Sequence, residues 1–196
     1  PFGRVFQAEQ GTVIFRGLAL KNLANDVYGI RQLSSAGTLA VQGCFLGTNA
    51  AGNADLSAGR AIEIGAVASI GGTNPADRNL ISGNFFGVVV QSTSTGANIQ
   101  GNLIGSDASG VNLLPNQRAV DISANVVAVH LLGGTVASAG NRIVGSTLSA
   151  VRLYGDGRAT WQRNRIYDNA GLGIDIGGDG IDVNDPGDGD SGPNGR

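Results

Sequence analysis

Ile99-Gln100-Gly101-Asn102-Leu103-Ile104 decides the fold, because its pattern returns along the whole chain. It stands again as Phe15-Arg16-Gly17-Leu18-Ala19-Leu20, as Val41-Gln42-Gly43-Cys44-Phe45-Leu46 and as Trp161-Gln162-Arg163-Asn164-Arg165-Ile166. Two further copies are split by a six-residue insert that opens Gly-Gly-Thr, so that Ile70 leads to Asn79-Leu80-Ile81 and Leu132 leads to Asn141-Arg142-Ile143. The first apolar anchors, Phe15, Val41, Ile70, Ile99, Leu132 and Trp161, are spaced by 26, 29, 29, 33 and 29 residues. Each copy is followed by a third strand-like run: Ile30-Arg31-Gln32, Ile62-Glu63-Ile64, Val88-Val89-Val90, Val120-Asp121-Ile122, Val151-Arg152-Leu153 and Ile174-Asp175-Ile176. Copies two and four share a long loop before this run, and copies three and five share the insert, so the larger unit is a pair of coils.

Self-similarity at this period, short strands alternating at period two and no helical period predict an all-β solenoid. A β-sandwich alternates antiparallel strands and carries no such phrase repeat. The expected architecture is a single-stranded parallel β-helix of about six coils, three short strands each, over residues 1–176. An acidic Gly/Asp-rich loop or linker follows over 177–196. Residues 1–10 are expected to cap the first coil.

Composition narrows the function classes. The 196 residues include 33 glycines, one lysine, one histidine, one tryptophan and one cysteine, with 5% aromatic and 14% charged residues. The apolar share of 41% is too high for disorder, and the glycines keep no collagen period. No apolar run is long enough to cross a membrane as a helix. A single cysteine builds neither an internal disulfide nor a thiolate metal site, and Cys44 reads as a small buried residue. The net charge of −2 divides into +4 over 1–167 and −6 over 168–196, a polarised end that does not suggest a nucleic-acid surface.

In a parallel solenoid, equivalent positions stack into columns. The column Leu20, Leu46, Ile81, Ile104, Ile143, Ile166 should face inward. Two residues earlier, Asn79, Asn102, Asn141 and Asn164 should form an amide ladder that hydrogen-bonds from coil to coil. Between them Ala19, Phe45, Leu80, Leu103, Arg142 and Arg165 should face out. This column begins apolar, as a sugar-stacking platform or under a loop, and ends in two stacked arginines. Arg31, Glu63, Val89, Asp121, Arg152 and Asp175 read as an outward charge ladder.

The stretches GNLIGSDASG (101–110), IGGTNPADRNLISGN (70–84) and GLGIDIGGDGIDVNDPGDGDSGPNG (171–195) resemble the right-handed, pectin-lyase-like parallel β-helix repeats of large secreted bacterial surface proteins. That resemblance covers nearly the whole chain. It implies a right-handed coil and a secreted or cell-surface location, and it makes this chain an excised segment of a longer protein.

Catalysis on such a coil needs a concentrated site: a base and usually Ca²⁺ beside a uronate for a lyase, or paired carboxylates for a hydrolase. The best lyase-like constellation in the sequence is Tyr167-Asp168 beside Arg142 and Arg165. The only histidine, His130, reads as a surface or corner residue, and Lys21 is isolated. Arg142, Arg163 and Arg165, with Tyr167 and Phe45, form the candidate glycan-binding strip, because arginine grips carboxylate or sulfate bidentately. In the tail, Asp179, Asp182, Asn184, Asp185, Asp188 and Asp190 alternate with glycine and proline as hard oxygen ligands suited to Ca²⁺. No cofactor is required. The reading is a non-catalytic structural or adhesive segment that contacts an extracellular glycan or another surface protein. The alternatives are a polysaccharide lyase or glycoside hydrolase acting on an acidic glycan, and a fibre subunit that self-associates end to end.

Overall fold

In the computed structural model, residues 3–33, 37–55, 57, 59–123, 128–155 and 158–181 are described. Their strands form three parallel sheets, seven strands in sheet I and six each in sheets II and III. Sheet I contains Arg4–Ala8, Tyr28–Gln32, Arg60–Ile64, Phe86–Val90, Arg118–Ser123, Val151–Tyr154 and Ile174–Ile176. Sheet II contains the first-anchor strands, from Thr12–Arg16 to Arg158–Gln162, and sheet III the short second-anchor strands, from Ala19–Leu20 to Arg165–Tyr167. The chain visits I, II and III in turn and comes back one rung higher. This is a parallel β-helix.

The register places the columns where the repeat put them. Leu20 pairs with Leu46, Leu46 with Ile81, Ile81 with Ile104, Ile104 with Ile143, and Ile143 with Ile166. From Leu46 to Ile143 this column is completely buried. The first anchors stack likewise in sheet II, and Val41, Ile70, Ile99 and Leu132 are buried in the same core. Burial of this aliphatic stack is the main driving force for closing the coil.

The asparagine ladder is present. Asn79 Nδ2 donates to Asn102 Oδ1 at 3.0 Å, Asn102 Nδ2 to Asn141 Oδ1 at 3.0 Å, and Asn141 Nδ2 to Asn164 Oδ1 at 2.9 Å. The same amides also donate back to carbonyls of the preceding sheet II strands, Val41, Ile70 and Ile99. A second ladder, not foreseen, runs at the next corner: Asn84 Nδ2 donates to Asn116 Oδ1 at 3.2 Å, and Ser146 N donates to Asn169 Oδ1 at 2.9 Å. Ser146 occupies the asparagine place in that series, and its buried hydroxyl has no partner among the described residues.

Sheet I carries a further device. Gly29, Ala61, Gly87, Ala119 and Ala150 occupy the corner where each coil enters the sheet, with Ala61, Ala119 and Ala150 completely buried. A Cβ at Gly29 would lie 2.7 Å from the Ala61 carbonyl oxygen, so this corner admits only the smallest residues. The small residue turns the chain so that its predecessor points outward. Tyr28, Arg60, Phe86 and Arg118 are thereby stacked in register, and the Arg60 guanidinium lies 5.2 Å from the Tyr28 ring centroid and 5.5 Å from that of Phe86.

At the N-terminal end, Arg4–Ala8 is the end strand of sheet I, paired with Tyr28–Gln32. One expectation is corrected. His130 is not a surface or corner residue. It lies in the strand Val129–Gly133, two residues before the inward Leu132, and is completely buried. Its column neighbours are Ala97 and Ala159, whose small side chains leave the ring room.

Among the described residues, neither ring nitrogen of His130 has a hydrogen-bond partner. Burial disfavours the imidazolium and lowers its pKa from the usual value. The unfolded chain takes up a proton below about pH 6.5 while the folded one resists it, so stability held above that pH falls as the solution is acidified. The urea midpoint is therefore expected to drop between pH 8 and pH 5.5. His130→Leu should flatten that drop, and an unchanged drop in the variant would place its origin elsewhere.

Candidate functional site

The two six-residue inserts position the site. Each forms a short 3₁₀ turn, Pro75–Asp77 and Ala137–Ala139, at the corner between sheets II and III. Asn74 caps the first by accepting from Ala76 N at 3.0 Å. These turns stand out from the coil and border a cleft of about 270 Å³ lined by Arg78, Leu103, Ala137, Gly140, Asn141, Arg142, Arg163 and Arg165. Among the described residues, four arginines and no carboxylate line it.

The coil explains why they meet. The residues just before the asparagine column are Gly17, Gly43, Arg78, Gly101, Gly140 and Arg163. Two arginines thus bracket two glycines. A Cβ at Gly140 would lie 2.1 Å from the Arg163 carbonyl oxygen, and one at Gly101 2.2 Å from that of Gly72, so neighbouring backbone bars a side chain at either position. Arg78 and Arg163 are three rungs apart, about 14 Å at the usual strand spacing. Arg142 and Arg165 stack in register on adjacent rungs of sheet III and form the side wall.

Like charges on adjacent rungs repel. Arg142 is relieved by Tyr167, whose hydroxyl accepts from its Nε at 2.7 Å and whose ring centroid is 5.5 Å from its guanidinium carbon. Arg78 Nε donates to the Gly101 carbonyl at 3.0 Å. Asp77, the carboxylate beside Arg78 in sequence, is committed to Arg16. Among the described residues, ion pairs join Arg16, Arg31, Arg60 and Arg152 to carboxylates, and none of the four cleft arginines takes part.

The structure thus brings together Arg142, Arg163 and Arg165, with Tyr167 holding Arg142, and adds Arg78. Sequence reading missed Arg78 because the insert displaces it along the chain. Its place immediately before a ladder asparagine, matching Arg163 before Asn164, is the signal that finds it. Phe45 is elsewhere. It shares the column of Arg142 but sits three rungs away. There the loop following Phe45–Leu46 covers it: a Cβ at Gly52 would lie 3.0 Å from the Phe45 ring and 2.7 Å from the Leu80 side chain. Leu80, expected outside, is only 2% exposed beneath this loop. The homologous loop stacks on the first, with Ala108 N donating to Gly52 O at 2.8 Å.

The outward carboxylates of sheet I are engaged with partners. Glu63 accepts from Arg31 Nε at 2.7 Å and Gln91 Nε2 at 3.0 Å, and Asp121 is gripped bidentately by Arg152 at 2.7 Å on both oxygens. That hydrogen bonding raises the already high pKa of Arg152. Asp175 accepts from Ser149 Oγ at 2.9 Å. In the second loop, hydrogen bonds from Ser109 and Asn112 hold the Asp107 carboxyl at about 2, so it stays ionised through the neutral range.

Of the candidate calcium ligands, Asp179 is an exposed residue at the end of the described chain, and Asp182, Asn184, Asp185, Asp188 and Asp190 lie outside the described residues. Among the described residues no three His, Cys, Asp or Glu side chains gather as a metal site. Cys44 is buried, which raises its pKa. No helix among the described residues is long and apolar enough to cross a membrane. Comparison with family models, curated proteins and solved structures finds no match to this chain.

Proposed function

We propose that this chain is a non-catalytic structural or adhesive segment of a secreted or cell-surface bacterial protein, in which a rigid coil displays side chains at fixed intervals to an extracellular glycan. The observation that carries this reading is the unbroken register of the outward columns. It places the arginines of sheet III one rung apart, with no carboxylate facing them among the described residues. The bacterial and secreted parts rest on the resemblance of the repeat phrases. The carboxylates of sheet I support a non-catalytic role, because each is bound to arginine, glutamine or serine instead of facing another carboxylate across an open groove.

Lyase or hydrolase action on an acidic glycan is the second reading, favoured only by the same arginines. Incubation with uronate polymers, with and without Ca²⁺, separates the two. The account expects no unsaturated product by ultraviolet absorbance and no new reducing ends. Product that disappears in Arg165→Ala would replace the structural reading with the enzymatic one.

End-to-end self-association fits the geometry less well. With sheet I continuous across a joint, Arg4–Ala8 of one copy would stack on Ile174–Ile176 of another. Sheets II and III have one strand fewer than sheet I, so each would lack a rung at that joint among the described residues.

A further inference from the structure

We infer that the corner cleft between Arg78 and Arg163 is a specific site for the acidic groups, sulfate or carboxylate, of a polysaccharide chain lying along the coil axis. The inference rests on the glycan-contacting reading and adds to it a location, a residue set and a ligand class.

The first argument is charge. Arg78, Arg142, Arg163 and Arg165 line one cleft of about 270 Å³, and none of them has a carboxylate partner among the described residues. On sheet I, by contrast, Arg31 is paired with Glu63 and Arg152 with Asp121. A concave surface of one sign concentrates field and attracts counter-charge. Guanidinium groups supply the paired donors that carboxylate and sulfate accept.

The second argument is the backbone at Arg163. The corner position before the asparagine column has positive φ in the coils that lack an insert. Gly17, Gly43 and Gly101 fill it, with φ of 67°, 61° and 68°. Arg163 fills the same position with φ 59°. In the coils with inserts the position relaxes, and Arg78 and Gly140 have φ of −58° and −63°. The coil therefore calls for glycine at 163 and carries arginine, in a conformation that side chains rarely adopt. A strained residue at the mouth of a cleft points to use of its side chain.

The third argument is shape. Gly101 and Gly140 carry no side chain between the two end arginines, and the cleft is bordered by Ala137 on one side and by Arg142 and Arg165 on the other. Among the described residues no aromatic ring lines it, and Tyr167 is bonded to Arg142, so it lacks the stacking surfaces on which single-stranded nucleic acids rely.

Heparin, polygalacturonate, neutral dextran and single-stranded DNA, titrated by calorimetry against the whole chain at low salt, test the proposal. Binding of heparin or polygalacturonate, with none of dextran, is expected, and the stronger of the two names the acidic group. Arg78→Ala with Arg163→Ala should weaken binding by about tenfold or more, the loss expected when charged hydrogen bonds are removed. Arg158→Ala, an exposed arginine of sheet II outside the cleft, should leave it unchanged. Arg163→Gly is the sharper variant: it should bind weakly and melt no lower than the parent, which separates lost recognition from lost folding.

Equal binding by Arg163→Gly and the parent would overturn the site. So would equal loss in Arg158→Ala, or DNA binding as tight as that of either glycan. Turnover of a bound glycan would overturn the non-catalytic reading and leave the site standing. Absence of any glycan binding would remove the site and leave the structural rod.

Discussion

Replacing Asn102 by leucine will lower the unfolding free energy by about 3 kcal/mol, the sum expected from stranding two buried polar groups. Asn102 is 1% exposed and makes four side-chain hydrogen bonds. Its Oδ1 accepts from both the backbone and the side chain of Asn79, and its Nδ2 donates to Ile70 O and Asn141 Oδ1. Leucine has nearly the same shape, so little cavity term enters. The loss falls on the Asn79 N–H and the Ile70 carbonyl, which have no water to turn to. For a chain of this size the melting temperature should fall by about 6–12 °C. Asn98→Leu, at an exposed position on sheet II, should change stability by less than about 0.5 kcal/mol. Equal melting temperatures for Asn102→Leu and the parent would remove the ladder from the account.

Gly105→Ala will be more damaging. Gly105 has φ +88°, and a Cβ there would lie 1.8 Å from the Val144 carbonyl oxygen of the next coil. The glycine cannot shift away, because its N–H is held by both Ile81 O and Ser82 Oγ at 3.0 Å. Backbone meets backbone, so one rung must separate from its neighbour. A cost of about 3 kcal/mol or more is expected, enough to move much of the chain into the insoluble fraction on expression. Gly96→Ala is the matched control: a Cβ there has nothing within 4 Å. A soluble Gly105→Ala protein melting with the parent would contradict the close stacking at this corner.

These two positions also show what the sequence made legible. Asn102 and the aliphatic anchors lie in strands whose spacing is rigid, so counting along the repeat placed each beside its partner. The arginines of sheet III followed from the same count. His130 had the signal too, two residues before an inward leucine. Its polarity argued for the surface, while the alanines on adjacent rungs, which make room for the ring, become visible only once the coil is stacked. Phe45 and Leu80 alternate outward as expected, yet the loop that follows Phe45–Leu46 lies over both, and alternation says nothing of what covers a face. Arg78 is displaced along the chain by the six-residue insert of its own coil, which the coils on either side lack. The small-residue corner of sheet I was hidden because alanine and glycine look unremarkable until their Cβ positions meet a backbone oxygen.

Spin-label distances along sheet II test the central claim most directly, that sequence-distant strands lie one rung apart in register. In a Cys44→Ala background, Ile14 would be paired with Leu131 in one protein and with Thr160 in another. These three residues belong to one outward column, in which Ile14 pairs with Ala40, Ala40 with Ser69, Ser69 with Asn98, Asn98 with Leu131, and Leu131 with Thr160. Four and five rungs predict backbone separations of about 19 and 24 Å, growing by about one strand spacing between the two. Equal distances, or a shorter one for Thr160 than for Leu131, would contradict the stacked coil and every surface built on it.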